Sequence, residues 1–256
     1  MKKESISTIL KADKLKELIN IFKDLTQIKE HIRMKVQNGI MLFYSIDDQN
    51  GQVLAFKYYK KQVLDFFDHD LEDLDFVILN VKKLTKQLSL YEAYGTPLSF
   101  NFETEDATDL NSSTRMVSTL EIKNGKLKTF LIGGEPGLIR NLGISTIFEK
   151  VDIRFRRFGF EISIIDFNQI LQLISLVNDP SHETVQIILD GTDIIFREKG
   201  WELNVGTSNM KEQFLFKKKY LNNFDPKEIV LLDMFDNFLV LRGTDNDLMI
   251  SLEHEN

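Results

Sequence analysis

There is no cysteine anywhere in the 256 residues. That excludes a disulfide framework, a zinc ribbon and thiol catalysis, and it fits a reducing cytoplasm. Proline is scarce, with four residues, and there is one tryptophan. No apolar run reaches the length of a membrane span, and the N-terminal MKKESIST lacks the apolar stretch of a signal peptide. The expectation is a cytoplasmic protein with no membrane partner. Positive charge is also in deficit: 32 Lys and Arg stand against 39 Asp and Glu, a formal charge of −7. Taken alone, this argues against a sequence-specific nucleic-acid binder, whose binding domain is normally basic.

Catalytic constellations are missing as well. The histidines are His31, His69, His182 and His254, and none stands in an HExxH spacing. No GxSxG motif occurs. The acidic run Asp68, His69, Asp70, Glu72, Asp73 and Asp75 lacks the glycine and the ligand spacing of a calcium loop, so it reads as a solvated acidic loop. GGEPG at 133–137 lacks the Lys-Ser/Thr of a phosphate loop and reads as a flexible connector. No catalytic residue, metal or cofactor is expected.

What the chain does have is apolar material and a repeat. Hydrophobic residues are 43%, and phenylalanine alone accounts for 20 positions, enough for a sizeable core. The pattern strand–helix–three strands occurs four times. The first unit has a strand at 6–11 and a helix capped by Asp13 with Leu15, Leu18, Ile19, Phe22 and Leu25 inward. Strands at 31–37, 40–46 and 53–59 follow, with Asn38-Gly39 as a hairpin turn. The second has a strand at 74–80, a helix with Val81, Leu84, Leu88 and Tyr91 inward, strands at 98–103, 115–122 and 126–132, and a polar loop at 104–113. The third has a strand at 160–165 and a helix capped by Asp166 with Ile170, Leu173, Ile174 and Val177 inward. Its strands are 184–190, 193–198 and 201–205, and Asp190-Gly191 is the turn. The fourth has a strand at 213–217, a very short helix at 218–224 stopped by Asp225-Pro226, and strands at 228–234, 238–243 and 248–253.

Two units make one domain. The expected division is a first domain at 1–132, a connector at 133–150 and a second domain at 151–256. The expected class is α+β: two similar domains, each of two β-α-β-β-β units, with helices on one face of curved antiparallel sheets. The stretch at 151–158 is basic and aromatic, and Arg154, Arg156 and Arg157 suit an interface ion-pair set or a partner site.

The outward faces of the four helices carry the functional signal. They read Lys16, Asn20 and Lys23; Lys82, Lys86 and Ser89 with Lys83 on the flank; Asn168, Gln172 and Ser175; and Lys219, Asn222 and Asn223. Any one of them alone is an ordinary solvated helix face, and on the first, Glu17 and Asp24 share the surface. The other three carry no acid at these positions in a chain where acids outnumber bases. With all four on one side of a sheet, they form a basic-to-neutral surface suited to a phosphate backbone approached without base reading.

Three stretches then carry a family resemblance: LDFVILNVKKLTKQLSLYE in the second unit, DFNQILQLISLVND in the third, and FLFKKKYLNNFDPKEIVLLDMFDNFLVLRGTDNDLMISLE at the C-terminus. The chain resembles the DNA sliding clamps, most closely those of T-even-type bacteriophages. The resemblance implies the DNA-clamp fold and a non-catalytic processivity factor. Three two-domain subunits would close head to tail into a ring, an edge strand of one pairing with an edge strand of the next. Twelve helices would line the hole around double-stranded DNA. It implies a replicative DNA polymerase, a clamp-loader ATPase and a second and third copy of the chain as partners, in the host cytoplasm for a phage protein. It also implies an apolar pocket for partner tails near the connector, with Leu138, Ile139, Leu142 and Ile144 as candidates. Two other readings remain open: a clamp-like factor that forms no ring, and a non-catalytic β-rich phage structural or interaction protein.

Overall fold

The structure, a computed structural model, describes residues 3–92, 94–105, 114–125, 127–141, 149, 151–177, 183–224 and 230–253. The chain divides into two compact units, Met1–Asp47 with Lys57–Ile147, and Asp48–Phe56 with Phe148–Asn256. The first unit holds β1 (Lys3–Leu10), α1 (Leu15–Leu25), β2 (Ile32–Gln37), β3 (Ile40–Gln49) and the latter part of β4 (Gln52–Gln62). It continues with a single helical turn α2 (Val63–Phe66), β5 (Leu74–Ile78), α3 (Val81–Glu92), β6 (Leu98–Glu105), β7 (Arg115–Asn124) and β8 (Leu127–Ile132). The second holds β9 (Phe158–Ile162), α4 (Ile164–Leu176), β10 (Thr184–Asp190), β11 (Asp193–Glu198), β12 (Trp201–Thr207) and β13 (Lys211–Lys217). A 3-10 helix at Lys218–Asn223 follows, then β14 (Val230–Met234), β15 (Phe238–Arg242) and β16 (Asn246–Glu253).

The strand pairing explains why the repeats come in twos. β1 runs antiparallel to β6, from Lys3↔Glu105 to Leu10↔Leu98, and β5 runs antiparallel to β2, from Ile32↔Ile78 to Val36↔Leu74. In the second unit β9 pairs with β14 and β13 pairs with β10. In each case the opening strand of one repeat joins the second strand of its companion. A repeat on its own would leave the backbone groups of its first strand without these partners.

Local chemistry sets the turns. Asn38 and Gly39 both have positive φ, 51° and 73°, which gives the mirror-image turn that fits the twist of a two-residue hairpin. Asn50 and Gly51 do the same between β3 and β4, so these strands run further than the pattern around 47–51 suggested.

Two expected caps are corrected. Asp13 lies inside a 3-10 turn, Ala12–Lys14, that leads into α1 without a side-chain cap. α4 begins at Ile164, and its cap is Ser163, whose Oγ accepts from the Asp166 amide at 3.1 Å and donates to Asp166 Oδ2 at 2.6 Å. Asp166 is the third helical residue, the far end of a capping box. Ser163→Ala is expected to lower stability by about 1 kcal/mol, read as a lower urea midpoint at unchanged slope. The short helix of the fourth repeat is 3-10 throughout its described length. Asp225, Pro226 and the loop residues 106–113 lie outside the described residues, while Thr104 and Glu105 belong to β6.

The core of the first unit lies between the helix pair α1/α3 and the strands. Leu18, Phe22, Leu84 and Leu88 meet Phe43, Phe76, Phe102 and Leu120 there. Phe22 and Phe43 pack edge to face, 5.6 Å between centroids. In the second unit Phe167 of α4 meets Phe224 edge to face at 6.0 Å. Each such fully buried side chain contributes about 1.5–3 kcal/mol of transfer free energy.

The GGEPG stretch is not a loose connector. The Gly133 amide donates to Ser118 O and the Gly134 amide to Val77 O, both at 2.8 Å. A Cβ on Gly133 would stand 2.4 Å from Val117 O, and one on Gly134 would stand 2.7 Å from Leu79 Cδ2. These glycines are there for close approach. Beyond them, buried Arg33 reaches the carbonyls of Pro136 and Ile139, at 3.0 and 2.5 Å.

Candidate nucleic-acid interface

α1 shows its outer face to solvent with Lys16, Asn20 and Lys23 exposed, because Leu15, Leu18, Ile19, Phe22 and Leu25 are all drawn into the core. The two acids expected to share that face are turned aside. Glu17 is bound by Lys14 at 3.0 Å and Lys61 at 2.7 Å. Partial burial pushes its carboxyl up, but the Lys61 and Lys14 ammonium groups outweigh this and hold it below its ordinary value. Asp24 takes the buried Lys57 ammonium and the Tyr59 hydroxyl, each at 2.6 Å. Lys57, Tyr59 and Lys61 alternate along β4, so one face of that strand neutralises both helix acids. Sequence reasoning missed this, although the period-two spacing of the three was visible.

α3 is fixed at both ends. The Val81 amide donates to Glu30 O at 3.4 Å, and the Tyr91 hydroxyl donates to Ile122 O at 3.2 Å and meets Thr129 Oγ1 at 2.9 Å. Val81, Leu84, Leu88 and Tyr91 are buried, and Lys82, Lys83, Lys86 and Ser89 are exposed on the far side. α1 and α3 lie beside each other. Among the described residues, no carboxylate comes within 4 Å of Lys16, Lys23, Lys82, Lys83 or Lys86. The helix pair of the first unit therefore presents five unneutralised ammonium groups.

The second unit's helices are quieter. On α4, Phe167, Ile170 and Ile174 are buried, and Asn168, Gln172 and Ser175 are exposed. Ile165 and Leu176, also exposed, stand at its two ends, which the sequence reading did not anticipate. On the 3-10 helix, Tyr220 and Leu221 are buried, Lys219 and Asn222 are exposed and Asn223 is half-buried. The Lys219 ammonium sits 4.5 Å from the centre of the Tyr220 ring.

No family model matches the chain, and no curated protein matches its sequence. Solved structures do match. DNA polymerase III subunit beta from Borrelia burgdorferi superposes with a TM-score of 0.69 at 13% identity, over 98% of this chain and 65% of that one. The Helicobacter pylori beta clamp bound to a DNA ligase peptide gives 0.64 at 12%, over 98% and 67%. The beta subunit from Thermotoga maritima gives 0.65 at 9%, over 98% and 66%. The chain has the sliding-clamp fold. It spans about two thirds of the length of these clamps.

Within this clamp fold the remaining sequence candidates sort as follows. Leu138 is exposed and Ile139 is buried, its carbonyl taken by Arg33. Leu142 and Ile144 lie outside the described residues. The arginine cluster is partly exposed, and each member has a carboxylate partner. Arg154 pairs with Asp152, Arg156 with Asp233 at 2.7 Å, and Arg157 with Glu212 at 2.6 Å, all within one unit.

The acidic run is corrected too. Asp75 is buried and binds Arg33 through both oxygens, at 2.7 and 2.8 Å, while Asp73 Oδ1 accepts from the Asn38 amide at 3.1 Å. Among the described residues no cluster has the makings of a metal site. The Ile9 amide, followed by the Thr8 hydroxyl, holds the Asp68 carboxyl below its ordinary value. Because its folded pKa lies below the unfolded one, this stabilisation is complete above the ordinary carboxylate range and disappears as pH falls through the folded value. Asp68→Asn is expected to lower stability at pH 7 and to converge with the parent chain at acid pH, as followed by urea unfolding across pH.

Proposed function

We propose that this protein is a sliding clamp, a non-catalytic DNA polymerase processivity factor that encircles duplex DNA and tethers the replicative polymerase. The observation that carries the reading is the first unit's helix pair: five lysines without carboxylate partners among the described residues, on the clamp fold, in a chain of net charge −7. Such a face holds phosphates by charge and reads no base, which permits sliding. The proposed DNA-facing set is Lys16, Asn20, Lys23, Lys82, Lys83, Lys86, Asn168, Gln172, Lys219, Asn222 and Asn223. Lysines supply the attraction, and the uncharged wall of α4 supplies low friction. In domain terms the reading takes 1–132 and 151–256 as the two clamp domains and 133–150 as their connector.

Three copies in a closed ring, of the T-even phage kind, and opening by a clamp-loader ATPase complete the proposal. Its support is the two-unit chain, about two thirds the length of the solved clamps, together with a free edge. Among the described strands β8 pairs with β7 alone, and Leu127, Phe130 and Ile132 on it are exposed, Ile132 by 77%. An exposed edge strand with three apolar side chains turned to solvent is suited to association. Light scattering is expected to give three times the 29.8 kDa chain mass, and Ile132→Lys is expected to return the single-chain mass. The function itself is tested by retention on circular duplex DNA, lost when the circle is cut. Retention that survives linearisation would favour the clamp-like factor that forms no ring.

A further inference from the structure

α1 does not owe the positive character of its outer face to its own residues. Between Leu15 and Leu25 it carries two lysines, Lys16 and Lys23, and two acids, Glu17 and Asp24, so by itself the helix has no net charge. The lysines are seven positions apart, and so are the acids, which is close to two helical turns. The four side chains therefore form two rows side by side along the helix. Asn20, on the lysine row, is one turn from both Glu17 and Asp24. An unmet carboxylate in the second row would stand beside any phosphate held by the first.

Strand β4 supplies the missing counter-charge. Lys57, Tyr59 and Lys61 occupy alternate positions and so leave the strand on one face. The Lys57 ammonium reaches Asp24 at 2.6 Å, the Tyr59 hydroxyl reaches the same carboxylate at 2.6 Å, and the Lys61 ammonium reaches Glu17 at 2.7 Å. Lys14, in the turn that leads into α1, adds a second cation to Glu17 at 3.0 Å. Burial alone would push the Glu17 carboxyl up, yet Lys61 and Lys14 hold it below its ordinary value, so it is ionised at neutral pH and its charge has to be met there. The side chains of Lys57 and Lys61 are 1% and 11% exposed, which leaves them poorly placed to hold a phosphate themselves. Nor does α1 need them to be seated, because Leu15, Leu18, Ile19, Phe22 and Leu25 fix it in the core. A partly exposed pair such as Glu17–Lys61 contributes little to stability.

We infer that Lys57 and Lys61 are positioning residues for duplex binding by α1: they hold Asp24 and Glu17 against β4 and cancel the repulsion those carboxylates would exert on phosphates beside Lys16 and Lys23. The inference rests on the reading of the helix pair as the duplex face. It adds that the binding strength of α1 is set from a strand that does not touch the DNA.

Anisotropy of a short labelled duplex, which threads from its ends, tests this in the full chain at low salt. Lys61→Met is expected to weaken binding about twofold to threefold for each chain on the DNA, the effect of one unit charge about 8 Å from a phosphate in water. For a ring of three the loss compounds to about tenfold. The deficit should shrink as salt rises. Adding Glu17→Gln removes the acid together with its cation and should restore the parental affinity, and Lys61→Arg should keep it. A merely structural role for Lys61, or a phosphate contact of its own, would leave a loss that Glu17→Gln does not repair. Parental affinity in Lys61→Met, or a loss that persists in the double variant, overturns the inference while the duplex face stands. A parent chain with no affinity for the duplex at low salt removes the duplex face, and this inference falls with it.

Discussion

Simultaneous charge reversal of Lys82, Lys83 and Lys86 to glutamate is expected to abolish retention on circular DNA while leaving the fold intact. All three side chains are exposed, and none has a carboxylate partner among the described residues, so folding loses no ion pair. Surface changes of this kind stay within about 0.5 kcal/mol of the parent in stability. Binding is another matter. Each phosphate contact removed lowers the salt slope by about one, so three lost contacts per chain should flatten it by about three for each chain on the DNA. Repulsion from the new carboxylates comes on top, and the loss at low salt is on the order of 10³ in affinity. The paired comparison is Glu17→Gln with Asp24→Asn. Those carboxylates serve Lys14, Lys61 and Lys57 on the flank, so their removal should cost stability through the lost Asp24 ion pair of buried Lys57 and should not strengthen the salt slope as removal of DNA-repelling acids would. A wild-type slope in the triple lysine variant would show that α3 does not face DNA.

Most of the architecture was legible in the sequence because period and turn chemistry are local. Val81, Leu84, Leu88 and Tyr91 announce a helix face, Asn38-Gly39 announces a mirror-image turn, and both stand in the structure. What was not legible depends on partners distant along the chain. The burial of Arg33 rests on Asp75, which stands 42 positions away, and on carbonyls more than 100 positions away. In sequence, one is a charge on a loosely alternating strand and the other is the last member of an acidic run. Likewise Glu17 and Asp24 read as solvated acids on the helix surface until β4 is laid beside α1. The caps failed for a different reason. Asp13 and Asp166 are good capping types, but Ser163 competes for the role three residues earlier, and α1 enters through a 3-10 turn that satisfies its start differently.

Arg33→Met is expected to be the most destabilising single change in the first unit, by about 3–5 kcal/mol. Arg33 is 1% exposed and Asp75 is 2% exposed. Their bidentate pair is satisfied on all sides, since the guanidinium also donates to Pro136 O and Ile139 O, and Lys35 adds a second ammonium 3.7 Å from Asp75. Removing the arginine leaves the buried Asp75 carboxylate with the more distant Lys35 ammonium in place of a bidentate partner, and it frees two carbonyls of the 133–141 segment, a loss comparable to much of a typical domain's total stability of about 5–15 kcal/mol. The double change Arg33→Met with Asp75→Leu separates these effects. It removes the Arg33–Asp75 pair together and leaves Lys35 on Asn141 Oδ1, so most of the loss should return, leaving a deficit of about 1–2 kcal/mol for the undonated carbonyls. Urea midpoints give the energies. Amide exchange gives the location: in the double variant the Gly133 and Gly134 amides should lose protection while those of β2 and β5 keep theirs. If the double variant were as unstable as Arg33→Met, the cost would lie in docking 133–141 onto the sheet. If it matched the parent with those glycine amides still protected, the segment would be held by its glycines and by Ile139, and the arginine would serve Asp75 alone.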